Sequence, residues 1–408
     1  MTTADHPPQS ESRTSGTASE VLLIFLRLGV SCFGGPIAHI GYFRDEFVTR
    51  RRWLDEQSYA DLVALCQFLP GPASSQVGFS IGMMRAGYLG GLAAWTGFTL
   101  PSAATLVLFA CGAGALGGPL GNGLLHGLKL VAVAIVAQAV WGMARALCPD
   151  RERATIATVA ALFVLLGMSS VAQIGAILLG AIAGLWLCEA APAASAGHIA
   201  MPVSRRAGIF ALVAFFVLLG LFILPGPSSL QGVDLFAAFY RSGALVFGGG
   251  HVVLPLLREA FVAPGWVTDD AFLAGYGAAQ AVPGPLFTFA AYLGFVVRPQ
   301  PNGLAGAALG LVGIFLPGVL ILIGTLPFWD AFRVRPRARA AMRGVNAAVV
   351  GVLGAALYNP VWVTSVKTPA DFGVALVGFV LLVAWRTPPL LVVAFSALGG
   401  IALAWGSL

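Results

Sequence analysis

The sequence predicts an all-α polytopic membrane protein made of two inverted-topology repeats with broken, re-entrant helices. Of its 408 residues, 58% are hydrophobic and 10% are charged, whereas soluble domains carry about 25% charged residues. About thirteen hydrophobic segments follow one another, and sequence blocks recur between the two halves of the chain. This composition excludes a soluble enzyme, a disordered protein and a nucleic-acid-binding domain, and it makes the lipid bilayer the expected surroundings.

Each hydrophobic segment is compared with the roughly 20 apolar residues that a membrane-spanning helix needs. The segments lie near residues 21–41, 61–84, 88–113, 124–146, 154–168, 171–188, 208–225, 233–257, 271–297, 303–328, 341–360, 371–385 and 388–406. The predicted domains are a disordered cytosolic tail (1–18), an N-terminal repeat (19–188), a linker with one unmatched helix (189–232) and a C-terminal repeat (233–408).

The internal repeat rests on ordered sequence blocks. Residues 25–35 match residues 239–249 at an offset of 214, with Phe, Arg, Gly, Phe, Gly and Gly in common. Residues 67–72 match residues 280–285 at an offset of 213, and further blocks follow at nearly the same offset. A repeat of six segments followed by a single linker helix enters the second half from the opposite face, so we expect inverted repeats, as in many secondary transporters.

Basic residues in the loops test the topology, because they accumulate on the cytoplasmic side. Thirteen full crossings place the N-terminus inside and the C-terminus outside, but they leave the cluster at residues 50–52 on the wrong side. If the first two segments of each half are re-entrant hairpins, the cluster moves inside and the charge bias strengthens. We favour the hairpin topology, since those segments also carry the helix breakers.

A glycine motif opens each repeat. Its residues are Gly34, Gly35 and Pro36 in the first half and Gly248, Gly249 and Gly250 in the second. Paired glycines and a proline destabilise a helix, and a broken helix exposes backbone N–H groups that suit an anion. Small residues also serve close helix packing in membranes, but the recurrence at one register favours a broken helix.

A Pro-Gly-Pro motif follows in each repeat, three residues after a glutamine. The residues are Gln67, Pro70, Gly71 and Pro72 in the first half and Gln280, Pro283, Gly284 and Pro285 in the second. Pro-Gly-Pro cannot continue a helix. The glutamines, together with Ser74, Ser75, Gln76 and Thr288, could donate hydrogen bonds to an oxyanion. The equally weighted alternative is a tight turn whose polar groups bond to the backbone.

Arg27 and Arg241 occupy equivalent positions deep in apolar runs. An ionisable residue inside a membrane segment is a candidate functional group, and arginine matches oxyanions in charge and geometry. The alternative is that these side chains extend to the interface. His39 and His251 follow the glycine motifs and could bind substrate or carry a proton, although a histidine beside a helix break is more often structural.

Several kinds of chemistry are missing from the sequence. All acidic residues, Asp61 and Asp371 among them, fall in loops or at segment ends, so positive charge dominates within the segments. That polarity favours an anionic substrate. The five cysteines lack metal-binding spacing, and no nucleotide-binding motif occurs. We therefore expect no metal, no cofactor and no catalytic residues.

The motifs at residues 33–41, 53–54 and 70–72, with their copies in the second half, resemble the chromate ion transporter (CHR) family in its long two-domain form. The resemblance implies a multi-pass protein of the bacterial inner membrane that exports chromate and confers chromate resistance. The motif residues carry over onto Gly34, Gly35, Pro36, His39, Pro70, Gly71 and Pro72. The second half departs at Gly250, and its His251 aligns with Ile37, so the two halves are not equivalent.

The function expected from these observations is secondary transport of a tetrahedral oxyanion, driven by the membrane potential or proton motive force. The expected partners are chromate or sulfate and the bilayer; the oligomeric state stays open, with a homodimer as one option. The alternatives are a transporter or channel for sulfate or another oxyanion, and a membrane-embedded enzyme acting on anionic lipid head groups. Such an enzyme would use His39 or His251 as its nucleophile or base.

Overall fold

The computed structural model describes residues 16–33, 35–113, 118–167, 170–188, 203–223, 231–247, 250–329 and 335–406. Within these ranges all regular secondary structure is helical, which confirms the predicted all-α class. Five stretches are long and apolar enough to cross a membrane: Ala73–Gly112, Leu120–Leu147, Arg205–Ile223, Gly303–Phe328 and Pro336–Ser365. The count of thirteen segments and the inverted orientation of the repeats stay predictions. So do the domain boundaries, whose residues 1–15, 189–202 and 224–230 lie outside the described ranges.

The helices are numbered in chain order. The first eight are α1 (Ala18–Ser31), α2 (Gly35–Arg44), α3 (Glu56–Phe68), α4 (Ala73–Ala113), α5 (Gly118–Leu147), α6 (Arg151–Gly167), α7 (Ser170–Leu187) and α8 (Arg205–Ile223). The others are α9 (Gln231–Ala244), α10 (Val253–Phe261), α11 (Asp269–Ala281), α12 (Phe289–Val296), α13 (Gly303–Thr325), α14 (Pro336–Ala356), α15 (Val363–Ser365), α16 (Pro369–Val383) and α17 (Pro389–Gly406). Short 3-10 turns at Gly250–Val252, Leu286–Thr288 and Leu326–Phe328 and π-helical turns at Asp45–Arg50 and Leu357–Trp362 complete the pattern.

Helices end and restart at all four predicted breaks. The glycine motifs separate α1 from α2 and α9 from the turn that leads into α10, and the Pro-Gly-Pro motifs separate α3 from α4 and α11 from the turn before α12. Gly35, Gly71 and Gly284 have φ values of +80°, +113° and +97°, which side chains other than glycine's rarely tolerate. At 1.5 Å per residue, each of these pieces is shorter than the roughly 30 Å hydrocarbon core. This includes the first part of α4, because Ala86 and Gly87 have non-helical φ and ψ values that interrupt this helix.

The helices that carry the Pro-Gly-Pro motifs start from equivalent caps. The Asp55 carboxylate accepts a hydrogen bond from the Ser58 N–H at 2.8 Å, and the Thr268 hydroxyl accepts one from the Ala271 N–H at 3.2 Å. These hydrogen bonds satisfy N–H groups that a helix start leaves free. The bonds from Ser58 also hold the pKa of the Asp55 carboxyl below its usual range. The caps lie 213 residues apart, as do the motifs that follow them.

The two halves exchange helices. In the first half α5 packs on α16 and α17 of the second, while α14 of the second half packs on α6 and α7 of the first. At the closest points, Gly400 lies against Gly127, and Gly344 lies against Gly184 in the equivalent arrangement. Small residues allow such close approach of helices in membranes. The outer helices of each half are therefore held by the other half.

Adding one methyl group at Gly400 is expected to destabilise this contact. A Cβ there would lie 2.3 Å from the Gly123 carbonyl oxygen and 2.6 Å from the Gly127 Cα, so the helices would have to separate. We expect Gly400→Ala to lower the free energy of unfolding by about 1–3 kcal/mol, measured from tryptophan fluorescence during thermal unfolding. Gly373→Ala, in open space on α16, is the matched control and should be neutral or stabilising. Equal unfolding midpoints would contradict the close contact.

Candidate oxyanion site

A cavity of about 50 Å³ lies where the helix breaks of the two halves meet. It is lined by Gly35, Ile135, Gln138, His251, Ala279, Gln280, Val282, Gly284, Leu286 and Pro389. By the same measure one water needs about 10–15 Å³, so the cavity has room for roughly three to five water-sized groups. A tetrahedral oxyanion, with its four oxygens, is of that size.

Reciprocal backbone hydrogen bonds hold the breaks together. The Gly71 N–H donates to the Val246 carbonyl at 2.8 Å, and the Gly284 N–H donates to the Cys32 carbonyl at 2.9 Å. Each bond therefore joins the Pro-Gly-Pro motif of one half to the residue two positions before the glycine motif of the other. The described structure thus brings the predicted motifs of both halves into one region.

Four helical segments begin at the cavity. Gly35 is the first residue of α2, Pro389 is the first of α17, and Leu286 starts the turn before α12. His251 lies in the turn that leads into α10. Helix N-termini carry free N–H groups and a partial positive charge, and both stabilise a bound anion. The cavity therefore has anion-binding character although its lining side chains are uncharged or, for histidine, titratable.

Gln280 supplies the clearest polar group in the cavity. Its Nε2 atom is buried and makes no well-aligned hydrogen bond to the described residues; its polar neighbour is the Tyr276 hydroxyl. A buried donor without an acceptor is costly, so it suits a ligand oxygen. Gln138 of α5 adds a second amide. The His251 imidazole is placed by a 2.7 Å hydrogen bond between its Nδ1 and the Tyr276 hydroxyl.

The first-half counterparts of these groups lie elsewhere. Gln67 is exposed, in contrast to the half-buried Gln280. His39 is fully buried, its Nδ1 lies 3.4 Å from the Ser74 hydroxyl, and its ring meets Phe98 edge-on. The His39 Nε2 has no hydrogen-bond partner among the described residues. His39 thus belongs to the packing of its own half, and the described lining of the cavity does not include it.

Gln76 explains why the two Pro-Gly-Pro motifs differ. Its Nε2 donates to the carbonyls of Pro70 and Gly318 at 3.0 and 2.9 Å, and so fills the space beside the first motif. The matching residue in the second half is Phe289, which has no amide. Thr288 likewise donates to the Pro285 carbonyl at 2.8 Å. For Gln76 and Thr288 the structure supports the alternative of backbone-bonded turn residues.

The two predicted arginines lie outside the described lining of the cavity. Arg27 is exposed on α1 and borders another pocket of about 170 Å³, with Asp45, Glu46 and Arg50. Arg241 is half-buried near the end of α9. Three further predicted residues, Gly34, Gly248 and Gly249, lie outside the described ranges. The other motif residues are at the breaks: Pro36 in α2, Gly250 in the turn before α10, and Pro70, Pro72, Pro283 and Pro285 in the two Pro-Gly-Pro motifs.

Six lining residues and one class of buried group were missed from the sequence. The six residues are Ile135, Gln138, Ala279, Val282, Leu286 and Pro389. Gln138 is a single amide within the apolar run of α5, a signal that could have been noticed, whereas nothing marks Pro389. Acidic residues were expected only in loops or at segment ends. Asp61 instead lies in the middle of α3 and is buried, because that helix begins at Glu56 and not near residue 61.

Comparison with known proteins places these features in a family. The sequence profile of the chromate transporter family matches residues 19–185 and 233–401. The chromate transport protein of Pseudomonas aeruginosa is 30% identical over 92% of this chain and 89% of its own length. The probable chromate transport protein of Synechococcus elongatus is 26% identical, over 92% and 93%. The chromate transport protein of Cupriavidus metallidurans is 24% identical, over 95% and 93%.

No solved structure matches the chain. The profile covers more than half of the residues, in both halves, so the resemblance seen in the motifs is confirmed. Together with the apolar helices, this makes the chain a membrane protein and a transporter, not an enzyme. The chain belongs to the chromate transporter family.

Proposed function

We propose that the protein exports chromate across the bacterial inner membrane by secondary transport and so confers chromate resistance. The observation that carries the proposal is the cavity itself, which brings together residues at helix N-termini from both halves and the buried Nε2 of Gln280. The named relatives from Pseudomonas aeruginosa and Cupriavidus metallidurans, both chromate transport proteins, give the substrate.

Each lining group has a role in this proposal. Backbone N–H groups at Gly35, Leu286 and the turn before α10 donate to oxyanion oxygens, and Gln138 and Gln280 orient them. The Pro-Gly-Pro glycines let the hairpins approach each other. All of these groups contact the oxygens and none contacts the central atom, so the site does not distinguish chromate from sulfate by that atom. Sulfate therefore competes for the same site.

The two halves act as inverted repeats about this site. Helix α5 packs on the second half and its counterpart α14 packs on the first. The hydrogen bonds at Gly71 and Gly284 are paired in the same way. A pseudo-two-fold axis produces such pairs of contacts. Rocking of one half against the other would expose the site to each side in turn. In the state described here both Pro-Gly-Pro motifs are hydrogen-bonded to the opposite half, and such rocking would have to rearrange these bonds.

The membrane potential supplies enough energy for export. Each unit charge is worth about 2.3 kcal/mol per 100 mV, so a dianion leaving an inside-negative cell gains about 4.6 kcal/mol at about 100 mV. At about 1.4 kcal/mol per decade, this supports a gradient of roughly a thousandfold. Hydrolysis of ATP is not required.

Uptake of radiolabelled chromate into everted membrane vesicles tests the function. With NADH as the energy source, vesicles that contain the protein should accumulate chromate, uncoupler should abolish the accumulation, and excess sulfate should reduce it. Uptake no greater than in vesicles without the protein would contradict chromate export. Rapid uptake that ignores uncoupler would indicate a passive anion channel.

Loss of both intramembrane arginine charges is expected to have little effect on substrate affinity. Neither Arg27 nor Arg241 lines the proposed site. Arg27 is exposed, and interactions of exposed charges are largely screened beyond about 10 Å in about 0.1 M salt. We expect the double variant Arg27→Gln, Arg241→Gln to keep its KM for chromate within about twofold. An increase above tenfold would instead support the interpretation, drawn from the sequence, that these arginines bind the anion.

A further inference from the structure

A second and larger cavity lies beside the same helices. Its volume is about 580 Å³, and its polar lining consists of Asn122, His126 and Lys129 of α5, Asp270 of α11 and Tyr292 of α12. We call it the vestibule. Lys129 is one of only two lysines in the chain, and neither motif accounts for it.

Lys129 is held by a partner that can be displaced. Its ammonium nitrogen lies 2.9 Å from Asp270 Oδ1, yet the lysine side chain is only 15% exposed while the aspartate side chain is 74% exposed. An ion pair with one solvated partner is weak. An incoming anion can therefore take the place of the Asp270 carboxylate, which turns outward into water.

The second polar pair of the vestibule is fixed by contrast. His126 Nε2 lies 2.7 Å from Asp371 Oδ1. The other oxygen of Asp371 accepts hydrogen bonds from the backbone N–H groups of Lys367 and Thr368 at 3.0 and 2.9 Å. Asp371 is 4% exposed and completes the capping box of α16 with Thr368, so it is held in place. Lys129 is thus the cation of the vestibule that is available to a ligand.

The vestibule and the oxyanion cavity lie on one seam between α5 and α11. Lys129 of α5 and Asp270 of α11 line the vestibule. Gln138 of α5 and Gln280 of α11 line the oxyanion cavity. At 1.5 Å per residue, these pairs are about 14–15 Å apart along their helices. On this seam Gly277 lies so close to Leu128, the residue before Lys129, that a Cβ on Gly277 would be 2.2 Å from the Leu128 carbonyl oxygen.

We propose that the vestibule is a docking site for the divalent oxyanion, with Lys129 as its cation and Asp270 as the carboxylate that occupies Lys129 when no anion is bound. The proposal rests on the proposed function, since the docked anion is the one that continues to the oxyanion cavity. The α5–α11 seam is then the path between the two sites.

Lysine modification tests the docking directly. A Lys367→Arg variant leaves Lys129 as the only side-chain amine, so its reaction with an amine-reactive ester can be followed by mass spectrometry of the α5 peptide. Sodium chromate should slow this reaction several-fold relative to sodium chloride at equal ionic strength. Adding Asp270→Asn should raise the rate without chromate and lower the chromate concentration that gives half-protection. Equal protection by chloride and chromate would overturn the proposal.

Transport kinetics supply the second measurement. We expect Lys129→Gln to raise the KM for chromate about tenfold with little change in maximal rate, because a charge in a cleft raises the local anion concentration by about 10-fold or more. Lys129→Arg should restore the KM, and Lys367→Gln should match the unmodified protein. An unchanged KM in Lys129→Gln overturns the docking site alone, whereas failure of the unmodified protein to transport chromate overturns the proposed function.

Discussion

Replacement of Gly284 by alanine is expected to reduce chromate transport more than tenfold. The backbone φ of +97° costs a residue with a Cβ about 1–2 kcal/mol. The new Cβ would also lie 2.3 Å from the Ser102 hydroxyl and 3.1 Å from the Phe98 carbonyl, so the motif would have to move. Movement would break the hydrogen bond to Cys32 and distort the cavity that Gly284 lines.

The control for this variant separates strain from steric conflict. Gly265, in the loop before α11, has a φ of +77° and nothing within 4 Å of its would-be Cβ. Gly265→Ala therefore carries the backbone strain alone and should retain most of its transport. Uptake into everted vesicles, normalised to the amount of protein in the membrane, gives the comparison. Equal activity of the two alanine variants would show that the contact at Ser102 does not matter for transport.

Replacement of Gln280 by leucine is expected to have the second large effect. The leucine keeps the approximate volume but removes the buried Nε2 donor from the cavity. A hydrogen bond to a charged group is worth about 1.5–3 kcal/mol, which corresponds to roughly a 10- to 100-fold loss of affinity. The KM for chromate should rise by that factor, and sulfate should become a weaker competitor in parallel.

Gln67 provides the matched control, because it occupies the equivalent position of the first repeat but is exposed. Gln67→Leu should leave the KM within about twofold, since it removes no buried partner from the cavity. If both glutamine variants lost affinity equally, the two halves would contribute symmetric binding groups. The asymmetry attributed to Gln76 would then be wrong.

The breaks of the fold were predictable because they follow from local chemistry. Pro-Gly-Pro removes two backbone donors and adds a glycine, so the helices end there in any surroundings, and α3 and α11 do so. The repeat was likewise visible in residue identities alone. The repeat also predicts that the two halves cross the membrane in opposite directions. That orientation is defined relative to the bilayer, and residue identities alone do not determine it.

The composition of the site was only partly predictable, because it depends on which helix covers which motif. Gln67 and Gln280 are indistinguishable by spacing, and only the packing around them makes one exposed and the other half-buried. Arg27 lies in an apolar run, but the face of α1 that bears it is exposed. Gln138 was missed because it reaches the cavity from α5, a helix that carries neither motif.

The exchange of helices between the halves has a consequence for biosynthesis. Gly127 cannot meet Gly400 until 273 further residues have been made, which takes roughly 14–55 s at about 5–20 residues per second. During this interval α5 is in the membrane without α16 and α17, and the carbonyl of Cys32 lacks its donor from Gly284. The first half therefore matures only when the ribosome has finished, so the last helices of the chain set the moment at which the whole transporter assembles.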